Sequence, residues 1–337
     1  MNQANTGYRQ RSTLRTMTQA CKVLETTEAN LDLCADFLRS GGVIGVPTET
    51  VYGLAGNALN EPSVRKIFEI KGRPLIDPLI VHFASTDAAE NHVEFNDLAR
   101  ELAARFWPGA LTMVLPKKAT ISDLVTAGLP SVAIRVPRHP IFHSLLERLK
   151  FPIAAPSANP FGYVSPTLAK HVYRTLGDRI LAVLDGGPCE HGVESTIVDL
   201  RDSDAPRILR PGPISAEELG FELAQGKASI GAQTAPGMLT QHYSPNTPIT
   251  LFDHQTQPSN VNTSDAVLYC QKPDIVEQAN AFWLSESGDQ KEIAHNLFML
   301  IQKLDRMDFG RLHIERAAQE DIGIAINDRL VRAAAKR

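Results

Sequence analysis

Ile180-Leu-Ala-Val-Leu-Asp-Gly-Gly-Pro-Cys-Glu-His-Gly-Val-Glu-Ser-Thr-Ile-Val-Asp-Leu-Arg-Asp-Ser-Asp-Ala-Pro-Arg-Ile-Leu209 holds three strand-like runs: Ile180 to Leu184, Thr196 to Leu200 and Arg207 to Leu209. None of the intervals between them has the spacing of a helix. Parallel neighbours in a sheet need a long crossover, usually helical, whereas antiparallel ones need only a turn. Part of the sheet is therefore expected to be antiparallel, and a purely doubly wound parallel sheet is not expected.

Upstream of these runs, strands and helices alternate. Helical spacing covers Ala29 to Ser40, Pro62 to Lys71, Asp97 to Phe106, Pro140 to Leu149 and Thr167 to Leu176, with Ser215 to Leu223 downstream. Strand-like runs lie at Val43 to Val46, Leu79 to Phe83, Leu111 to Leu115, Val132 to Val136 and Ile153 to Ala155. Such a mixture is an α/β domain built on a twisted mixed sheet, and we place it at residues 20–223. From about Ala224 the composition turns to Gly, Ala, Gln, Ser, Thr and Pro, which marks a linker over 224–247. Strands at Ile249 to Phe252 and Ala266 to Cys270, a helix over Lys291 to Met307 and a helical tail make a second, smaller α/β unit, 248–337.

Composition narrows the function. Of 337 residues 43% are hydrophobic and 21% charged, enough apolar side chain for packed cores. The net charge of −4 argues against holding a long nucleic acid by phosphate neutralisation, so a polyanion should meet a local cluster of cations. Cys21, Cys34, Cys189 and Cys270 form no C-x-x-C pair, and read as free thiols in a reducing, cytoplasmic setting. No apolar run reaches the ~18–20 residues of a membrane span. Residues 1–19 are basic, lack the apolar core of a secretory signal and read as a disordered extension, with a transit peptide as the alternative. There is no G-x-x-x-x-G-K-[ST], no G-x-G-x-x-G after a strand, no H-E-x-x-H and no G-x-S-x-G.

Four blocks carry chemistry. Pro47-Thr48-Glu49-Thr50 follows a strand, where α/β proteins place ligands; a polar turn built on threonine explains it equally well. Lys71-Gly72-Arg73-Pro74 sets two cations at a helix end. They either converge on phosphates, one as a point charge and one as a fork, or form an ordinary glycine-capped terminus. His82 by itself is a core histidine. Pro156-Ser157-Ala158-Asn159 leaves a strand with Ser157 and Asn159 alternating with Ala158, so that both side chains can face one ligand, or is an Asn-Pro turn. Glu194-Ser195-Thr196 precedes Arg210-Pro211-Gly212, and Arg135 puts a charge inside an apolar strand, which demands an anionic partner from protein or substrate.

Together, in this order, these blocks resemble the YrdC-like family of threonylcarbamoyl-adenylate synthases in its long form. The resemblance rests on PTETVYGL 47–54, KGRP 71–74, PLIVH 78–82, WPGALT 107–112, PSAN 156–159, ESTIVD 194–199 and RPG 210–212, with PGMLTQHYSP 236–245 and AINDRL 325–330 in the second half. It spans about residues 20 to 337. It implies a YrdC-type sheet with a large concave pocket and a Rossmann-like second domain. It also implies a reaction in which L-threonine, bicarbonate and ATP give threonylcarbamoyl-AMP and pyrophosphate, for adenosine 37 of tRNA. Lys71, Arg73, Ser157 and Asn159 would be catalytic. ATP would be held by Lys71, Arg73, Asp77, Ser131, Ser157, Asn159, Ser165, Arg210 and Tyr243. L-threonine would be held by Thr50, His82, Arg135, Ala155 and Ser195. His242-Tyr243 would form a lid. Mg²⁺ would be carried by ATP rather than by a protein metal site, with no tightly held organic cofactor. The product would pass to a tRNA threonylcarbamoyl transferase, with at most weak tRNA contact and no membrane. Asp77 departs from the neutral or amide residue often found there in relatives, and either binds Mg²⁺ or weakens ATP. A non-catalytic RNA-binding module of the same fold is the alternative.

Overall fold

Short runs of β-branched and aliphatic residues between amphipathic helices give a computed structural model with two sheets. It describes residues 21–220, 242–254, 256, 258, 260–275 and 280–335. The expected extension at 1–19 and most of the expected linker at 224–247 lie outside the described residues.

The first unit opens with β1 (Lys22–Leu24), α1 (Glu28–Arg39), β2 (Ile44–Val46), β3 (Gly53–Asn57), α2 (Glu61–Lys71) and β4 (Ile80–His82). It continues through α3 (Thr86–Glu90), α4 (Asp97–Phe106), β5 (Leu111–Pro116), α5 (Asp123–Thr126), β6 (Ser131–Arg135) and α6 (Pro140–Leu149). It closes with β7 (Ile153–Ala154), α7 (Ala169–Leu176), β8 (Ala182–Leu184), β9 (Thr196–Asp199), β10 (Arg207–Arg210) and α8 (Ala216–Leu219). The second unit contains β11 (Ile249–Phe252), β12 (Ala266–Gln271), β13 (Ala281–Ser285), α9 (Gln290–Leu304), β14 (Leu312–Glu315) and α10 (Asp321–Ala334).

Ten strands form the first sheet in the order β1-β8-β2-β3-β7-β4-β6-β5-β9-β10. β2–β3, β3–β7, β4–β7, β5–β6 and β9–β10 are antiparallel, and the other pairs are parallel. The mixed sheet is as expected, but the three decisive runs do not sit together. β8 lies parallel to β1 and β2 near one edge, and only β9 and β10 form an antiparallel pair, at the other. The segment between β8 and β9 therefore crosses the sheet. On the way it accepts a hydrogen bond from Tyr52 Oη at Gly187 O (2.8 Å) and donates one from His191 N to Glu49 O (2.8 Å).

Alternation along the strands divides the core between two faces. Ile44, Val46, Ala182 and Leu184 pack with Leu31, Leu38, Leu145 and Leu149 of α1 and α6. Val43, Leu54 and Val183 join Val64, Ile67, Phe68 and Leu102 of α2 and α4. The second sheet, β11-β14-β12-β13, is wholly parallel, with α9 and α10 packed on its apolar residues. Val51, Val164, Val193 and Tyr243 belong to this second apolar cluster, so the loops around the first sheet's cleft are packed against the second unit. All four cysteines are free, and no helix among the described residues is long and apolar enough to cross a membrane.

Candidate active site

Strand ends and the turns leaving them line a half-open cleft. After β2, Thr48 Oγ1 accepts from the backbone N–H groups of Thr50 (3.0 Å) and Val51 (3.2 Å), so threonine does build the turn here. The next hydroxyl is free of that task. Thr50 Oγ1 accepts from Arg135 Nη1 at 2.9 Å, at the end of β6.

Arg135 is almost fully buried, and its anionic partner is part of the protein. Its Nη2 lies 2.8 Å from Glu49 Oε1, and its Nε donates to Gly109 O at 2.9 Å. Burial pushes the Glu49 carboxyl up, but the Arg135 charge and the Arg138 backbone N–H outweigh it and bring the carboxyl down to about 2. The guanidinium thus keeps a fixed orientation. Beside it His82 is pushed down to about 3 by burial, with the Arg135 charge adding, so the imidazole is neutral at physiological pH.

α2 ends where Gly72 takes the left-handed conformation (φ 64°) and Arg73 N donates back to Phe68 O at 3.0 Å. This reversal aims Arg73 at the cleft. Its Nε donates to Asp77 O (3.0 Å), its Nη2 donates to Pro78 O (2.9 Å), and Nη2 is 2.8 Å from Asp77 Oδ1. Asp77, completely buried, is thereby the counter-ion of Arg73. Burial pushes its carboxyl up, opposed by Arg73, Lys71 and Arg210.

Lys71 works from behind the lining. Its Nζ donates to the carbonyl oxygens of Ser157 and Asn159, each at 2.6 Å, and Phe161 N donates to Lys71 O at 2.7 Å. The ammonium therefore ties the Ser157–Asn159 loop to the end of α2. Asn159 Nδ2 donates to Pro160 O and Tyr163 O at 2.9 Å, which leaves its Oδ1 buried without a partner. On the far wall Arg210 forks onto Ser195, Nε to O at 3.1 Å and Nη2 to Oγ at 3.1 Å, while Ser195 Oγ shares a 2.7 Å hydrogen bond with Thr112 Oγ1. Gly212 permits this approach, since a Cβ there would lie 2.3 Å from Thr196 N.

Of the residues singled out from sequence, Thr50, Arg73, His82, Arg135, Ala155, Ser157, Ser195, Arg210 and Tyr243 line the one cleft. Lys71, Asp77, Asn159 and Ser165 stand directly behind it through the contacts above and the Ser165 hydroxyl donated to Glu194 Oε1. Ser131 is not brought to the lining. It begins β6, four residues and about 13 Å along the strand from Arg135. The expected lid pair is folded in, with His242 and Tyr243 both buried and lining the cleft.

Sequence reasoning gave no role to Glu49, Glu194 or Arg329. Glu49 was legible as an acid between two threonines at a strand end, facing the need of a buried arginine. Arg329 lies on the apolar face of α10 with Ala325, Ile326, Leu330 and Ala333, the position of an arginine that must find a buried anion. His82 Nδ1, His242 Nδ1 and Tyr243 Oη are buried with no hydrogen-bond partner, and all three residues face the cleft. Buried polar groups left open at one place are what a polar ligand would satisfy.

Residues 36–212 match the family model described as Telomere recombination, and residues 214–335 match that of the Threonylcarbamoyl-AMP synthase C-terminal domain. The Threonylcarbamoyl-AMP synthase of Pyrococcus abyssi (strain GE5 / Orsay) is 36% identical over 328 residues, covering 92% of this chain and 95% of that protein. The chain belongs to the threonylcarbamoyl-AMP synthase family. A second member, from Bacillus subtilis (strain 168), is 36% identical over 331 residues, with 93% and 95% covered. The crystal structure of Pyrococcus abyssi Sua5 complexed with L-threonine matches with a TM-score of 0.85 at 35% identity, over 93% of this chain and 97% of that one. The family membership accounts for both units of the fold and for their order.

Proposed function

We propose that this protein is an L-threonylcarbamoyladenylate synthase, converting L-threonine, bicarbonate and ATP to threonylcarbamoyl-AMP, pyrophosphate and water. One observation carries the reading: Arg73, Arg135 and Arg210, from three separate segments, face one cleft in a chain of net negative charge. Curated relatives named as synthases, and one solved with L-threonine, support it. They do not favour the alternative of a non-catalytic RNA-binding module.

In this reading the Arg135 fork grips the threonine carboxylate, held in place by Glu49 and Thr50, with neutral His82 and the Ser195 hydroxyl beside the amine and side chain. The amine, having lost a proton, attacks the carbon of bicarbonate; the bond from that carbon to its hydroxyl breaks, the hydroxyl leaves as water with a proton from the nitrogen, and a carbamate remains. Its oxygen then forms a bond to the α-phosphorus of ATP as the bond from that phosphorus to the bridging β-oxygen breaks. Charge moves onto departing pyrophosphate, where Arg73 stabilises it. Lys71 acts by fixing the Ser157–Asn159 loop along the nucleotide, and Arg210 and Tyr243 bound its other side. No nucleophile from the protein is required; orientation does the work. Carbamates decay in water, and the buried His242-Tyr243 pair supports shielding of the intermediate.

Mg²⁺ enters as the ion of MgATP. The nearby carboxylates do not form a protein cage for it: Asp77 is paired with Arg73 and Glu194 with Arg329, and no cluster of three acidic, His or Cys side chains converges among the described residues. The phosphates and water would supply most of the metal's ligands. The product would supply the threonylcarbamoyl group for adenosine 37 of tRNA through a separate transferase. The test is pyrophosphate release from ATP with threonine and bicarbonate omitted in turn. Dependence on both is expected; release indifferent to threonine rejects the substrate assignment.

A further inference from the structure

Glu194 is a carboxylate lining the same cleft that must admit a triphosphate. An unpaired anion there would repel the ligand. Its neutralising partner comes from the other unit. Arg329 of α10, wholly buried, places Nε 2.8 Å from Glu194 Oε2. Its Nη2 donates to Pro211 O at 3.0 Å, beside Arg210, and its Nη1 donates to Asp328 Oδ2 at 2.7 Å. The guanidinium stands 5.4 Å from the centre of the Tyr243 ring, which also lines the cleft. Glu194's other oxygen is occupied by the Ser165 hydroxyl. One arginine thus touches an acid of the cleft, the turn after Arg210 and the aromatic wall.

We propose that Arg329 is a positioning residue for the nucleotide, which cancels the charge of Glu194 and sets the Tyr243 ring, so that the second unit completes the ATP end of the site. The neighbouring charges fit this division. Asp328 shares its carboxylate with Arg329 and Arg332, and the Arg210 charge also faces Glu194, Asp328 and Arg329, so acids and bases alternate through the cluster. The threonine end, around Arg135 and Glu49, receives no contact from Arg329. Loss of the guanidinium should therefore weaken nucleotide binding selectively. The inference rests on the cleft being an ATP site, as proposed above.

The experiment is calorimetric binding of a non-hydrolysable ATP analogue and, separately, of L-threonine. It compares the full chain with Arg329→Met, Arg329→Lys and Glu194→Gln/Arg329→Met, each checked for folding by thermal melting. Truncating one side of a buried charge pair should weaken the analogue roughly thirtyfold or more in Arg329→Met. Threonine affinity should stay within about threefold, because the carboxylate grip of Arg135, Glu49 and Thr50 is untouched by Arg329. The double variant and Arg329→Lys, which keep the charge balance, should recover most of the analogue affinity. Equal weakening of both ligands, or no weakening, overturns the proposal. If Arg329→Met does not fold, the other two variants decide: more than about tenfold weakening of the analogue in both overturns it. A wild-type protein that binds the analogue but releases no pyrophosphate with threonine and bicarbonate would reject the reaction while leaving this test intact.

Discussion

Arg135 and Glu49 face each other at 2.8 Å with each side chain 3% exposed, at the end of two strands that are not neighbours in the sheet. The pair gives the end of the cleft proposed for threonine its fixed cation, and it ties the first polar turn to the centre of the sheet. It also makes the fold sensitive to acid in a definite direction.

Glu49 is lowered from 4.5 to about 2 in the folded protein. Its stabilisation is fully present above the unfolded value and is lost as pH falls towards the folded one. The shift corresponds to about 3 kcal/mol. Urea midpoints for wild type and Glu49→Gln should therefore differ most above about pH 5 and converge towards pH 2. A gap that stays constant across that range would contradict the pairing.

Arg135→Lys keeps the charge and loses the fork. We expect the KM for threonine to rise about tenfold or more with little change for ATP, since a planar bidentate grip is not reproduced by an ammonium. Initial-rate pyrophosphate release with each substrate varied in turn reads the split. A rise in the ATP KM alone would place the carboxylate grip elsewhere.

Lys71 and Arg73 should fail in different ways. Lys71→Met leaves two buried carbonyl oxygens without their donor, a loss of about 1–3 kcal/mol, so melting temperature and turnover should fall together. Arg73→Ala should lower kcat/KM by roughly 100-fold or more through lost phosphate stabilisation. Asp77→Asn, which removes the counter-ion but keeps the shape, should be milder than either. Melting curves beside single-turnover rates distinguish the cases.

Chelation should separate the metal from the fold. EDTA should abolish pyrophosphate release, because in the proposed reaction Mg²⁺ arrives with the triphosphate, while the melting temperature of the nucleotide-free protein stays unchanged. A destabilised nucleotide-free protein would mean that a resident metal had been removed.

Much of this was readable from the chain. Asp97–Phe106 and Pro140–Leu149 show helical spacing to the residue. The β-rich runs after Val43, Leu111 and Ser131 became strands because their branched side chains fit both buried faces. β3, Gly-Leu-Ala-Gly-Asn, was not readable, since its glycines and alanines carry no strand preference and its place is set by β2 and β7 on either side. β14 was missed for another reason: Leu312-His313-Ile314-Glu315 buries two titratable side chains, and Asp265, His254 and the Cys270 N–H, which lie far away in sequence, make that tolerable. The site followed the same rule. Its cations were visible as motifs, whereas the acids that hold them in place became visible only when distant segments met.

The contact between Arg329 and Glu194 joins residues 135 positions apart. Closing a loop of that length carries an entropic penalty of about 4 kcal/mol before any contact repays it. During renaturation hairpins such as β2–β3, β5–β6 and β9–β10 can form from near neighbours, while the β1–β8 pairing and the docking of α10 on the cleft wait for distant segments to meet. The protein should regain its far-ultraviolet signal before it regains affinity for nucleotide, and the lag between them would time the arrival of one side chain.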